Sequence, residues 1–420
     1  GYMHAIEKIL ARASGQSSVR TGQIVNCTVD RAGINDLYLQ TKRSFLEMGG
    51  VKVARPENVC MFMDHYAPPS TLSQATVQKE FREFCREQKI GHLMDVNRGV
   101  CHQVLIDSGL SEPGLVIVIT DSHTTTHGAL GAFATGVGAT DLATILLTGK
   151  LWFRVPQILR ITLNGTLQPG VFAKDVILKI IGTLKADYAV YKGVEFTGPA
   201  VSAMPVSERL CLCNMTTEMG AKCAYIQPDE KTFDYLKARG VKNPRAGVVH
   251  SDADFVFSEE LTFDVSQIGP QLAVPFSVDN AADIEEHVGK RIDQAYIGAC
   301  TGGRLEDLQA AAHVVAGKKI AVHTRFVVCP ASREVLLAAI NAGYIRTLIE
   351  AGATLVTPGC AACLGIHEGL IARGERCISS TNRNFPGRMG DKTAEIYLAS
   401  PATVAASALA GAIADPRAVF

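Results

Sequence analysis

A multidomain α/β protein built on parallel, doubly wound sheets is predicted by three features of the chain. Short apolar runs ending abruptly in polar, glycine or proline residues recur along it, as at 115–120 (LVIVIT) and 353–356 (ATLV). In the last third, strand-like and helix-like stretches alternate regularly over 294–297, 305–316, 319–322, 332–342 and 353–356. Parallel strands need covering crossovers, and this alternation supplies them. Finally, 420 residues exceed what one core usually serves, so two or three domains are expected.

In chain order, residues 4–13 carry apolar side chains at helical spacing and stop near Gly15, predicting an amphipathic helix. A strand follows at 23–29, then a polar stretch, 30–36, in which Asn35 and Asp36 fit turn or cap chemistry. The apolar run 58–63 delivers Asp64-His65 to a Pro68-Pro69 loop, where they fit either a hydrogen-bonded turn or a proton-relay pair. His102 sits in an apolar segment after Gly99, the usual setting of a satisfied core histidine.

The run 115–120 reads as a fully buried strand, and it empties into Asp121-Ser122-His123-Thr124-Thr125-Thr126-His127-Gly128. So many polar groups directly after a buried strand are costly unless bonded or used, so this segment is read as the wall of a site. His123 and His127 have the i, i+4 spacing of helical zinc ligands, but the companion glutamate is absent. Gly136-Val137-Gly138 lies too far from the strand for a dinucleotide fingerprint.

The texture changes near Trp152, where 156–165 and 171–184 begin a new strand–helix unit. Asn214 and Glu218 follow at i, i+4, which on a helix would put an amide and an acid on one face. Gly269-Pro270 and Pro275 mark the next boundary. The expected domains are therefore 1–155, 156–272 and 273–420.

Two strand ends near the C-terminus carry thiols. Cys300 follows 295–297, and Cys360 with Cys363 follows 353–356, each flanked by glycine. Ligands collect at the carboxyl ends of strands in open α/β sheets, so these three sulfurs could converge. Three thiolates with one open position suit an iron–sulfur cube better than a structural zinc, although C-x-x-C also serves redox pairs and plain packing. Cys211, Cys213 and Cys223 lack that setting and are assigned to packing. A last polar loop carries Arg383 and Arg388 with no acidic residue between 379 and 390 to pair them, which suits a carboxylate grip.

Composition narrows the partners. With 41 basic and 41 acidic side chains and no block of like charge, nothing points to nucleic acid. The longest apolar runs are far short of the ~20 residues a membrane span needs. Twelve cysteines spread along a long chain without a signal peptide fit reduced thiols in the cytoplasm.

Taken in order, Asp64-His65, His102, Asp121-Ser122-His123-Thr124, Asn214 with Glu218, Cys300-Thr301 with Gly303-Arg304, Gly359-Cys360 with Cys363, and Asn382-Arg383-Asn384-Phe385 with Gly387-Arg388 resemble the aconitase superfamily. Length and the opening EKILARASG resemble its isopropylmalate isomerase large-subunit branch, which includes homoaconitase and the methylmalate and dimethylmalate dehydratases. The resemblance covers nearly the whole chain.

It implies three α/β/α domains around a central cleft and a [4Fe–4S] cluster held by Cys300, Cys360 and Cys363. Catalytic assistance would come from Asp64, His65, His102, Asp121, His123 and Glu218. Substrate contacts would come from Asn35, Ser122, Asn214, Arg383 and Arg388. The implied reaction is dehydration or isomerisation of a malate-type 2-hydroxy acid, 3-isopropylmalate first, with the base on a swivelling domain supplied by a separate small subunit. Ala299, Gly302 and the Ala361-Ala362 pair depart from the common pattern around the cluster, removing hydrogen-bonding groups there. Outside this family, the competing readings are a zinc hydrolase on Asp121, His123 and His127, and an RNA-binding role.

Overall fold

The computed structural model describes residues 1–360, 365 and 368–420. Its described strands form three sheets and a two-stranded ribbon. The first sheet has five parallel strands in the order His92–Met94, Val59–Phe62, Arg31–Asn35, Val116–Ile119 and Phe133–Gly136. Its central strand, Arg31–Asn35, lies in the stretch expected to be a polar loop.

The reason is the glycine inside it. A Cβ on Gly33 would meet the Ile119 side chain at 2.8 Å and the Phe62 ring at 3.0 Å, so the large neighbours fill the space above a short, unbranched strand. The strand expected at 23–29 forms as Ile24–Thr28, but it pairs antiparallel with Lys150–Arg154 in the ribbon, apart from the main sheet.

The second sheet is also parallel, in the order Cys223–Tyr225, Lys192–Thr197, Gln157–Asn164 and Glu259–Asp264. The third runs Ala281–Asp283, Gln271–Ala273, Glu395–Leu398, Arg376–Ser379, Gln294–Ile297, Arg325–Val328 and Thr354–Leu355. Gln271–Ala273 pairs antiparallel with both Ala281–Asp283 and Glu395–Leu398, and the other pairings are parallel. The strand expected at 319–322 is displaced to Arg325–Val328. Val322 is fully exposed, and Ile320 and Ala321 bond outward to Ala351 and Ala408 as a connector, whereas Phe326 and Val328 are buried.

In the first and third sheets the chain winds one way from a central strand and then returns to its other side. The reversals fall between Arg31–Asn35 and Val116–Ile119, and between Gln294–Ile297 and Arg376–Ser379. Crevices outside the carboxyl ends at such reversals are where open sheets bind ligands. A continuous apolar core joins the three sheets, drawing on Ile106 and Leu130, Leu159 and Val176, and Tyr296 and Ile396. Burial of this much apolar surface is what holds the two crevices together.

Among the described residues, no helix is long and apolar enough to cross a membrane.

Candidate functional site

Strand register brings the polar residues of the first sheet to one edge. Asn35 pairs with Phe62 and Gly33 with Ile119, so Asn35, Asp64 and Asp121 leave the sheet within two residues of each other's level. From the third sheet come Cys300, after Gln294–Ile297, the loop bearing Asn382, Arg383 and Arg388, after Arg376–Ser379, and Cys360, after Thr354–Leu355. A cavity of about 140 Å³ lies between them, lined by Asn35, His65, Asp121, Ser122, His123, Cys300, Cys360, Arg383 and Arg388. Tyr38, Thr120 and Asn382 complete part of the wall. Asp64, His102, Asn214 and Glu218 stand behind it, each bonded to a residue that lines it.

The imidazoles are paired with carboxylates. His65 Nδ1 lies 2.7 Å from Asp64 Oδ1 and 3.4 Å from Asp36 Oδ1. Burial opposes its charge, but these two carboxylates hold its pKa well above the ordinary histidine value. Asp36 also accepts the backbone N–H groups of His65 and Tyr66 and the amide of Gln78, so it fixes the loop. Its role was hidden in the sequence, where Asp36 fitted turn chemistry; its place at the end of a central strand is the signal.

His102 Nε2 lies 2.9 Å from Asp121 Oδ1, and Asp121 also accepts the His123 N–H. Although burial pushes the Asp121 carboxyl up, His102 and His123 hold it far below the ordinary range.

Glu218 ties the three sheets to the cavity. Its Oε1 accepts from His123 Nε2 at 2.7 Å and from Arg383 Nε at 2.9 Å. Burial raises its pKa, but those partners outweigh it and the net shift is downward. Burial lowers His123 below the ordinary value. The sequence offered Arg383 no acid within its own loop, and the acid comes from the second sheet's unit.

Asn214 and Glu218 do not share a helix face. The helix Val206–Met215 tightens into a 3-10 turn, Thr216–Met219, so Asn214 faces Cys300 while Glu218 faces His123. His123 and His127 are not a helical pair either, because their segment, Ser122–Leu130, is 3-10 with a kink at His123. His127 turns to His102 and Ser111, so the trio needed for a zinc hydrolase is not assembled.

Cys300 and Cys360 pack together against Val100. Asn214 Nδ2 donates to Cys300 Sγ at 3.0 Å and Asn382 Nδ2 lies 3.7 Å from it. Amide N–H groups aimed at sulfur stabilise a thiolate, so these two positions fit a thiolate-held cluster. Cys360 is anchored by its N–H to the Asp64 carbonyl at 2.9 Å. Cys363 lies outside the described residues. Arg388 lines the cavity, and its buried Nε has no hydrogen-bond partner among the described residues.

Residues 7–411 match the family described as Aconitase family (aconitate hydratase). The chain is 50% identical over 412 residues to the 3-isopropylmalate dehydratase large subunit 1 of Methanopyrus kandleri, covering 98% of each. It is 51% identical over 374 residues to a probable methanogen homoaconitase large subunit of Methanosarcina mazei, covering 89% of this chain and 94% of that one. Among solved structures, the holo-form of Thermococcus kodakaraensis aconitase X aligns with a TM-score of 0.52 at 14% identity, over 92% of this chain and 94% of that one, a likeness of fold.

Proposed function

The chain belongs to the aconitase family, and from that premise we propose that it is the large subunit of an iron–sulfur hydro-lyase acting on a malate-type 2-hydroxy acid, 3-isopropylmalate first. The observation that carries this reading is the meeting of two thiols, three carboxylate-paired imidazoles and two arginines around one small cavity.

Removing water beside a carboxylate demands three things of a site. The substrate's carboxylates must be gripped, the leaving hydroxyl must receive a proton, and negative charge must be stabilised. Arg388, whose buried Nε has no hydrogen-bond partner among the described residues, and Arg383 are suited to the first task. His65, kept cationic by Asp64 and Asp36, is suited to the second, because it lines the cavity with a proton to give. Glu218 orients His123, and Asn35 and Ser122 offer an amide and a hydroxyl at the wall. Cys300, Cys360 and Cys363 would hold a [4Fe–4S] cluster, which when bound supplies an open iron able to polarise hydroxyl and carboxylate together.

The base that removes the C–H proton is assigned to a separate small subunit, a partner consistent with relatives that are themselves named large subunits. The division at 1–155, 156–272 and 273–420 and a cytoplasmic location are part of the same proposal. Relatives named homoaconitase match as closely as those named 3-isopropylmalate dehydratase, so a longer tricarboxylate is the second reading.

The test is anaerobic cluster reconstitution followed by assay of 2-hydroxy di- and tricarboxylates with and without the cognate small subunit. Turnover should appear only with both chains present. Full activity of the cluster-loaded chain alone would overturn the two-subunit assignment, and loss of all activity with both chains would overturn the hydro-lyase reading.

A further inference from the structure

His127 takes no part in the chemistry above, and its spacing from His123 suggested only a metal pair. Its actual neighbours give it another task. Behind the cavity four groups stand in line. His102 Nε2 lies 2.9 Å from Asp121 Oδ1, His102 Nδ1 lies 3.2 Å from His127 Nε2, and His127 Nδ1 lies 2.8 Å from Ser111 Oγ. His102, His127 and Ser111 are each 0% exposed, so water does not compete for these contacts.

The protons along this line are constrained. The ionised Asp121 only accepts, so His102 Nε2 must carry hydrogen toward it. In the tautomer whose one hydrogen is on Nε2, His102 offers Nδ1 as an acceptor. The His127 tautomer that fills this acceptor has its hydrogen on Nε2, which leaves His127 Nδ1 to accept from the Ser111 hydroxyl. Among the described residues that hydroxyl has no other hydrogen-bond partner. Burial, with the Arg304 guanidinium nearby, holds His127 well below the ordinary histidine value, so it stays neutral with a single N–H to give. In this arrangement every donor meets one acceptor, and reversing the His127 tautomer alone leaves two buried ring nitrogens with no hydrogen between them.

We propose that Ser111 and His127 are positioning residues that hold His102 in the tautomer with hydrogen on Nε2, and so fix the Asp121 carboxylate at the cavity wall. The proposal rests on the cavity being a hydro-lyase site, because only then does a misdirected Asp121 slow a reaction. A wrong imidazole tautomer disables catalysis while leaving the site's shape intact, which separates this role from packing.

The experiment uses the full chain with its cluster and small subunit. His127→Phe keeps a ring and removes both nitrogens, whereas His127→Gln keeps an N–H near the Nε2 position. We expect kcat of His127→Phe to fall about 10- to 100-fold, as is usual when the partner behind a functional histidine is removed. KM should move by less than about twofold, since no ground-state contact is touched. His127→Gln should recover most of the loss. Nitrogen-15 spectra of the histidine-labelled chain, with the His102 signal identified through its loss in His102→Gln, should report hydrogen on Nε2 in the wild type and a tautomer mixture in His127→Phe.

Wild-type kcat in a folded His127→Phe, a His127→Gln no better than His127→Phe, or a wild-type His102 protonated at Nδ1 alone would each overturn the proposal. If the wild-type complex dehydrates none of the acids offered, the functional reading fails, and the nitrogen spectra still decide the tautomer.

Discussion

Replacing Gly128 with alanine should both destabilise the protein and cripple the site. Gly128 ends the Asp121–Gly128 run and lies against the strand Cys223–Tyr225 of the second sheet. A Cβ there would sit 1.8 Å from the Ala224 carbonyl oxygen, 1.2 Å short of the 3.0 Å below which such contacts essentially never occur. The obstacle is backbone, so no rotamer change relieves it, and the two segments must part. Parting them stretches the Ile226 N–H bond to the Gly128 carbonyl, now 3.0 Å.

Overpacking costs about 1–3 kcal/mol, and a lost buried backbone bond adds about 1–3 kcal/mol, so a loss of about 2–6 kcal/mol is expected. The displaced segment, Ser122–Leu130, carries Ser122 and His123, and a shift near 1 Å in a catalytic group costs about 100-fold in kcat. Denaturant unfolding and steady-state turnover with the small subunit measure both effects. Gly138→Ala is the control, since nothing lies within 4 Å of a Cβ there and its φ is −82°. If Gly128→Ala matched Gly138→Ala in midpoint and turnover, the steric reasoning would be refuted.

Other perturbations follow from the site. Glu218→Gln keeps the oxygen that His123 and Arg383 share but removes its charge, and should cost about 1–2 kcal/mol in unfolding free energy. Because Glu218 is held below its ordinary value of 4.5, its contribution is complete above that pH and is lost as pH falls through the lower folded value. The stability gap between the protein and Glu218→Gln should thus be constant above about pH 5 and narrow below it, as followed by unfolding at stepped pH. Arg388→Ala should raise KM about 10- to 100-fold with little change in the unfolding midpoint, because its buried Nε has no hydrogen-bond partner to lose among the described residues. Cys300→Ala should abolish the broad visible absorption of an iron–sulfur centre and lower bound iron while far-ultraviolet circular dichroism stays unchanged; retention of full iron content would remove Cys300 as a ligand.

Much of this was legible in the residues, through local chemistry. Buried strands announced themselves where β-branched residues ran unbroken, as at Val116–Ile119, because solvent exclusion on both faces leaves no polar positions. Chain order likewise carried the motifs that place this chain in its family. Where a segment's state depends on neighbours distant in sequence, reading failed. Arg31–Asn35 is a central strand only because Ile119 and Phe62 roof Gly33, and the 319–322 run lost its strand to Arg325–Val328 once the latter found burial.

The sequence by itself determined which groups could do chemistry: thiols at strand ends, a dense polar run after a buried strand, and arginines with no nearby acid. Only the tertiary structure decided whom each would meet. Asp36 joined Asp64 at His65, Glu218 reached from the second sheet to Arg383, and His127 turned inward to His102. The physical reason is that hydrogen bonds and ion pairs act over a few ångströms, whereas their partners here are 25 to 165 residues apart along the chain, or adjacent yet aimed by a buried fold.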